Sequence, residues 1–323
     1  MAVTGSADSR GCYRLGFSIR VYGIPDLPSY DAESPGRAGH LSVNLAYLRD
    51  ICLYLQANRI YLYRLHSSII PARLRDDPEA LALELDACGP QLVHLAALID
   101  QAQIRCTFHP YSQVTLNALN EAQAERSLRH LLAQARLLDA LRLGTDGVIV
   151  LHVGGVYDNP SASAERFARR YANLPEAVRR RVVLEQDDSR YGYAAVFAIH
   201  RACGVPLVYD SLHHRVHNPE RVPEREALAG CLGTWQAGVR PKVHYANARS
   251  EMRLLEGTRR VKVPSWTEHA DFVVPFEFIS WLEMAAGLPA FDIMLEAKAR
   301  DLALLQLRRD LARFAPELGA SVC

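Results

Sequence analysis

Short apolar runs alternate with longer segments of helical periodicity along most of the chain. Eight runs are apolar at nearly every position and predict strands: residues 14–19, 60–65, 104–110, 147–154, 181–186, 206–214, 241–246 and 292–298. Apolar residues recur at helical spacing between them, in residues 41–57, 79–102, 121–143, 162–180, 191–203, 224–237, 272–286 and 299–314. A strand followed by a helix, repeated eight times, predicts a parallel sheet with both faces covered.

Two α/β architectures fit this alternation. A doubly wound open sheet needs a glycine fingerprint after its first strand, and the segment RVYGIPDLP (20–28) contains no GxGxxG. The pattern therefore predicts a single (β/α)8 TIM barrel over residues 1–323, with flexible termini at 1–11 and 316–323. Two long loops, 20–40 and 246–271, are expected at or beside the barrel mouth.

Metal-ligand side chains stand at the polar ends of six of the predicted strands. They are His109, His152, Glu185, Asp210, His213, Lys242, His244 and Glu296. The C-terminal ends of barrel strands converge on one mouth, so the pattern predicts one metal cluster. Imidazole with carboxylate suits zinc, manganese or iron. Glu185 and Glu296 are the candidate bridging carboxylates between two or three ions.

Each of these residues also has a purely structural interpretation. A single histidine at a strand end is more often hydrogen-bonded in the core than a ligand, and only the recurrence favours a cluster. His213 and His214 are adjacent and should point apart; the Asp-x-x-His spacing from Asp210 favours His213 as the ligand. His269, off the strands, is weak by itself. Lys242 is either a neutralising charge or a carbamylated ligand.

Composition limits the compartment and the partners. The formal net charge is +1, so DNA binding would need a locally basic surface, and the loop 246–271 is rich in arginine and lysine. Seven scattered cysteines without a CxxC pair predict a reducing cytosol, with neither a disulfide framework nor a structural zinc site. No signal peptide and no membrane span are expected.

The segments at these strand ends resemble one known family. In chain order they are RLGF (14–17), YRLHSSIIP (63–71), FHP (108–110) with LN (116–117), VLHVGG (150–155), RVVLEQDD (181–188), GVPLVYDSLHH (204–214), PKVHYAN (241–247), EHADF (268–272) and DIMLEAK (292–298). Their order and spacing are similar to those of the UV damage endonucleases, which are metal-dependent TIM barrels similar in architecture to endonuclease IV.

The resemblance implies a DNA repair endonuclease that nicks the phosphodiester immediately 5′ to pyrimidine dimers and 6-4 photoproducts with a metal-activated hydroxide. It implies damaged double-stranded DNA as the partner, no nucleotide cofactor, no membrane, a monomer, and a cytoplasmic, nucleoid-associated location. The implied metal ligands are His109, His152, Glu185, Asp210, His213, His244, His269 and Glu296. The implied ions are manganese, with zinc or magnesium as alternatives. Glu185, Glu296 and Lys242 are the implied catalytic residues, and Lys242 matches a lysine that is carboxylated in some members.

The chain departs from the family pattern where the lesion is contacted. A glutamine and an aromatic residue usually follow the His-Pro pair; here Tyr111, Ser112 and Gln113 stand there. Phe17 replaces a common tyrosine. We assign these four residues as lesion-probing candidates, with an intact metal core. Two other functions stay open: a metalloenzyme on the same barrel that acts on a small molecule, and a non-catalytic binder of damaged DNA.

Overall fold

The fold is a closed barrel of parallel strands, seen in a computed structural model that describes residues 12–30, 39–157 and 159–323. The barrel strands are β1 (Leu15–Ser18), β2 (Leu62–Leu65), β3 (Arg105–Phe108), β4 (Ile149–Leu151), β5 (Val182–Glu185), β6 (Leu207–Asp210), β7 (Lys242–Tyr245) and β10 (Asp292–Leu295). Strands β8 (Arg253–Leu254) and β9 (Val261–Lys262) form a separate antiparallel hairpin. The TIM-barrel prediction is confirmed.

Helices follow the strands and form the outer layer. They are α1 (Leu41–Ala57), α2 (Ala72–Arg75), α3 (Pro78–Ala87), α4 (Gly89–Gln101), α5 (Glu121–Ala140), α6 (Pro160–Ala172), α7 (Glu176–Arg179), α8 (Tyr193–Cys203), α9 (Ser211–Val216), α10 (Glu224–Leu232), α11 (Pro275–Met284), α12 (Arg300–Phe314) and α13 (Pro316–Ala320). The predicted helix 79–102 is two helices, α3 and α4, bent by 76°. Gly89 and Pro90 explain the break, because proline lacks the N–H that would continue the first helix.

Side chains alternate across the barrel wall with a period of two. Val148, Val150, Val183 and Val208 form a small cluster with Trp235, separate from the large core. Their strand neighbours, such as Ile149 and Leu184, belong to the large core shared with the helices. The first set therefore lines the barrel interior and the second faces the helices.

A buried ion cluster occupies the N-terminal end of the barrel. Asp292 at the start of β10 is fully buried and accepts hydrogen bonds from Arg14, at 2.7 and 2.6 Å, and from Arg105, at 2.8 Å. The Nε of Arg240 lies 2.9 Å from the same carboxylate. We call these four residues the floor cluster. They hold together strands β1, β3 and β10 and the segment that precedes β7.

The C-terminal segment 316–323, for which the sequence predicts flexibility, has regular structure. It contains α13, and Val322 bridges Tyr13 beside β1. Cys12 and Cys323 form a disulfide with their Cα atoms 6.0 Å apart, a pairing that the cysteine pattern argued against. Residues 1–11 lie outside the described residues.

Within the described part of the chain, no single helix is long and apolar enough to cross a membrane. The bent pair α3 and α4 meets the length and composition test only when both helices are taken together.

Candidate metal centre

Glu185 is the centre of the cluster of predicted ligands. It ends β5, is buried, and has four imidazoles around its carboxylate. One oxygen lies 3.2 Å from Nε2 of His109 and 3.7 Å from Nε2 of His152. The other lies 2.9 Å from Nδ1 of His244 and 3.3 Å from Nδ1 of His213. Four different strand ends thus place their histidines on one carboxylate.

Asp210 explains the position of His213. Asp210 ends β6 and caps the short helix α9, accepting a hydrogen bond of 2.8 Å from the backbone N–H of His213. This cap turns His213 back toward the barrel axis. Its Nδ1 lies 2.9 Å from the carbonyl oxygen of Gln186, which can only accept, so Nδ1 donates this hydrogen bond. His214 points away and contacts the carbonyl of Val222 at 2.9 Å, as the sequence predicted.

Glu296 forms the second carboxylate centre, just beyond the end of β10. The guanidinium of Arg64 donates a hydrogen bond to it, and Nδ1 of His244 lies 3.4 Å from the same oxygen. Nδ1 of His269 lies 3.7 Å from the other oxygen and 2.9 Å from the Glu296 carbonyl. His269 therefore reaches the edge of the cluster from the loop that follows β7.

Lys242 lies below the cluster, inside the barrel. It is fully buried and donates a hydrogen bond of 3.2 Å to the hydroxyl of Thr107. It shares the inward face of β7 with His244, two residues on. Burial, together with the charges of Arg64 and Arg105, holds the pKa of Lys242 well below its usual range. The neutral amine is therefore favoured in this position.

The donor atoms fall into three overlapping sets, and each is compact enough for one ion. The sets are His109 with His152 and Glu185; Glu185 with Asp210 and His213; and Asp210 with His244 and Glu296; the atoms of each set lie within 4.8 Å of one another. Four buried atoms of these residues find no hydrogen-bond partner among the described residues: Glu185 Oε2, Asp210 Oδ2, His152 Nδ1 and His244 Nε2. Buried polar atoms are rarely left unpaired, so this donor set fits divalent ions.

The electrostatics of the site keep its carboxylates ionised. Burial alone would raise the pKa of Glu185, but the imidazoles of His244 and His152 outweigh it and hold that pKa well below its usual range. Burial would also raise the pKa of Glu296, but Arg64 and His244 outweigh it and hold that pKa well below its usual range. Burial lowers the pKa of His109 to about 4, so this ring is a neutral ligand at pH 7. An ionised carboxylate with a neutral imidazole is the form that binds metal.

A tight turn fixes the loop that carries His152. Gly154 has φ of 109°, and a Cβ there would lie 2.4 Å from Oδ1 of Asn117. The Asn117 amide donates hydrogen bonds of 2.7 Å to the Gly155 carbonyl and to the hydroxyl of Ser163. Only glycine tolerates both this backbone conformation and this close approach.

The lesion-probing candidates lie in two different places. Tyr111, Ser112 and Gln113 line a cavity of about 680 Å³ that also reaches His109 and His152. Phe17 is fully buried in β1, and its ring packs against Tyr63 with 5.4 Å between the ring centroids. Its side chain points to the helical layer, because the odd positions of β1 face outward. The assignment of Phe17 to lesion probing is therefore corrected.

Tyr111 belongs to a row of aromatic rings at the mouth. Its hydroxyl lies 2.7 Å from that of Ser68, and its ring meets His66 edge-on at 5.7 Å. His66 in turn stacks on Tyr30 at 4.2 Å. Burial lowers the pKa of His66 to about 4, so the ring is uncharged at neutral pH. Tyr111 remains 41% exposed, and the guanidinium of Arg75 lies over its ring, 5.9 Å from the centroid.

Comparison with protein-family models matches residues 29–318 to the family described as UV-endonuclease UvdE. The chain belongs to the UV-endonuclease UvdE family. It is 32% identical over 274 residues to the UV DNA damage endonuclease of Bacillus cereus (strain B4264), covering 83% of this chain and 81% of that protein. It is 33% identical over 273 residues to the protein of the same name from Bacillus mycoides (strain KBAB4), with the same coverage.

Solved structures agree on the architecture. The crystal structure of SacUVDE matches the present chain with a TM-score of 0.79 and 24% identity, over 93% of this chain and 98% of SacUVDE. Endonuclease IV from Thermus thermophilus matches with a TM-score of 0.55 and 15% identity, over 93% of this chain and 99% of that one. An L-ribulose 3-epimerase matches with a TM-score of 0.52 and 15% identity, over 88% of this chain and 81% of that one. At these identities the three likenesses concern the fold alone.

Arg64 is a site residue that sequence reasoning missed. It lies in β2 with its side chain 9% exposed and pairs with Glu296 inside the cluster. The signal was a charged residue in the middle of the apolar run IYLYRLH (60–66). Such a residue is rarely buried without a partner, and on a barrel strand its partner lies inside the barrel.

Proposed function

We propose that this chain, a DNA repair endonuclease by family, hydrolyses the phosphodiester immediately 5′ to UV photoproducts in double-stranded DNA. The proposed lesions are pyrimidine dimers and 6-4 photoproducts, and the proposed cofactors are two or three divalent ions. One observation carries the proposal: Glu185 and Asp210 are shared between adjacent sets of ligand atoms, so the cluster can hold ions side by side. Paired ions of this kind serve phosphodiester hydrolysis in many nucleases.

Bound divalent ions would supply an activated water and would offset charge on the phosphate and on the departing 3′ oxygen. The protein's residues prepare that site. Glu185 and Glu296 remain ionised, and Glu185 belongs to two of the three donor sets. Arg64 fixes the position of Glu296 through its hydrogen bond. His109 and His152 line the cavity through which a DNA backbone would approach.

Manganese is the proposed ion, with zinc and magnesium as alternatives. The donors are imidazole nitrogens and carboxylate oxygens without a thiolate, and this set suits manganese and zinc better than magnesium, which prefers oxygen ligands. Lys242 is proposed to serve the same site, either as a neutralising charge or, in carboxylated form, as a further ligand. Its lowered pKa supports the second role, because carboxylation requires the neutral amine.

The test is nicking of a labelled duplex that carries one defined photoproduct. We expect a cut immediately 5′ to the lesion with Mn²⁺, no cut in EDTA, and recovery when Mn²⁺ is restored. An undamaged duplex of the same sequence is the control. Absence of cutting, with bound metal demonstrated by elemental analysis, would refute the DNA substrate and leave a small-molecule substrate for the same metal centre.

Replacing Tyr111 with alanine is expected to weaken binding to damaged duplex by roughly tenfold and to undamaged duplex by much less. The reason is that an exposed ring stacks on an unstacked base, an interaction worth about 1–3 kcal/mol per base. Fluorescence anisotropy with both duplexes measures the difference, and Tyr111→Phe, which keeps the ring, is the matched control. Equal losses for the two duplexes would make Tyr111 a packing residue for His66.

A further inference from the structure

The hairpin β8–β9 has two chemically different faces. Arg253 lies opposite Lys262, and Leu254 lies opposite Val261. Arg253 and Lys262 both pair with Glu268, so the basic face of the hairpin lies against the segment that contains Glu268. The period of two places the apolar residues on the opposite face. Met252, Leu254, Val261 and Val263 are exposed there by 67%, 72%, 53% and 68%.

This apolar face is unusual in its position and its extent. Four large apolar side chains on so short a hairpin form one continuous exposed patch, and such patches mark interaction sites. An edge of this kind without a partner is also a liability for the free protein. The turn between the strands is closed by hydrogen bonds from Leu255 N–H to the Arg260 carbonyl, 2.9 Å, and from Thr258 N–H to the Leu255 carbonyl, 3.0 Å.

Positive charge is concentrated in and beside the hairpin. Five basic and two acidic residues lie between positions 249 and 262, in a chain whose net charge is only +1. Arg249 pairs with Asp271, and Arg253 shares Glu268 with Lys262. The guanidinium groups of Arg259 and Arg260, in the turn, have no ion pair or hydrogen bond within the described residues. The turn therefore presents two unpaired cations, with one carboxylate from Glu256, beside the apolar face.

The base of the hairpin is attached to the metal centre. Ala248 bridges His269, and the Glu268 carbonyl accepts a hydrogen bond of 2.6 Å from the backbone N–H of Arg249. Glu268, the anchor of the basic face, directly precedes His269, which lies beside Glu296. The hairpin therefore rises from the barrel mouth, next to the place where a bound phosphodiester would lie.

We propose that the hairpin β8–β9 is a contact for the DNA duplex flanking the cleavage site. Arg259 and Arg260 bind backbone phosphates, and the apolar face packs against sugars and base edges in the adjoining groove. Unpaired arginines beside apolar wedge residues are a combination by which proteins hold and bend a duplex. A protein partner would explain the apolar face but gives no reason for the unpaired cations. The proposal rests on the proposed function, since it takes duplex DNA as the substrate.

The experiment measures duplex affinity as a function of salt for the full chain, with damaged and undamaged duplexes. For the double variant Arg259→Gln with Arg260→Gln, we expect weaker binding to both duplexes. The slope of log affinity against log salt concentration should fall by the equivalent of about two phosphate contacts. For Leu254→Ser, we expect roughly fivefold weaker binding with an unchanged salt dependence.

Matched controls lie on the outer helices. Leu83 in α3 is also 72% exposed, so Leu83→Ser controls for Leu254→Ser. Arg169→Gln with Arg309→Gln, on the exposed surfaces of α6 and α12, controls for the arginine pair. Suppose that the wild-type chain nicks damaged duplex and that both hairpin variants keep wild-type affinity and salt dependence. This result would overturn the hairpin contact but not the proposed function, and it would favour a protein as the partner of the apolar face. A wild-type chain that neither binds nor nicks damaged duplex would instead overturn the proposed function.

Discussion

Replacing Glu185 with glutamine is expected to reduce nicking by on the order of 10³-fold or more, with little loss of folding. The amide keeps the shape of the side chain but removes the charge on which four histidines converge. Two of the three donor sets include Glu185, so bound metal should also fall. Single-turnover nicking with saturating Mn²⁺ measures the activity, and elemental analysis measures the metal.

Glu176→Gln is a suitable control for this substitution, because Glu176 lies exposed on α7 and pairs with the neighbouring Arg179. Thermal unfolding of both variants checks that the barrel is intact. Activity near the wild-type level in Glu185→Gln, with metal present, would end the shared-carboxylate description of the centre.

Replacing Asp292 with asparagine is expected to lower the free energy of unfolding by about 3–5 kcal/mol. Asparagine keeps the volume of the side chain but leaves the guanidiniums of Arg14, Arg105 and Arg240 without their carboxylate. Arg105 has no solvent-exposed side-chain surface, so it cannot recover its hydration. Urea denaturation followed by circular dichroism measures the change.

The exposed pair of Asp50 with Arg49 provides the comparison, since Asp50→Asn should change stability by less than about 0.5 kcal/mol. Nicking per folded molecule should be unaffected in Asp292→Asn, because the floor cluster lies at the opposite end of β10 from Glu296. A stability loss below about 1 kcal/mol would show that the arginines find other partners and that Asp292 does not hold the floor.

The barrel could be predicted from the sequence because its strands are apolar on both faces and its helices are not. The helix α1 was located at both ends, residues 41–57. The single helix predicted at 79–102 was wrong because helical periodicity continues through Gly89 and Pro90, although the chain turns there. Periodicity reports which face is buried and does not report a bend between two helices that bury similar faces.

Most of the cluster could be predicted because six of the candidate ligands continue the inward period of their strands, while His213 lies on α9 and His269 in a loop. His244 follows Lys242 and Glu296 follows Met294, so the parity that fills the interior also aims the ligands at the axis. Their assembly around Glu185 is observed; their role as ligands remains a prediction. The same parity would have placed Phe17 on the outer face, had it been applied to β1.

Two features depended on closure of the barrel and could not be derived from local pattern. Cys12 and Cys323 are 311 residues apart, and they meet because the tail that follows α13 pairs with the residues that precede β1. Arg64 finds Glu296 for a related reason, since β2 and β10 lie on either side of β1. Contacts of this range are set by topology, which a count of cysteines or a list of charged residues does not contain.

The attachment of the hairpin β8–β9 bears on how this protein can change over evolutionary time. Its bridge to the barrel is Ala248 with His269, and Glu268 holds its inner face, while the rest of it lies outside the core. The entropic cost of lengthening such a loop is small, about 0.6 kcal/mol for each doubling. Changes in the length and sequence of this hairpin should therefore have little effect on the folding of the barrel. If the hairpin contacts DNA as proposed, that contact can change with little effect on the stability of the barrel.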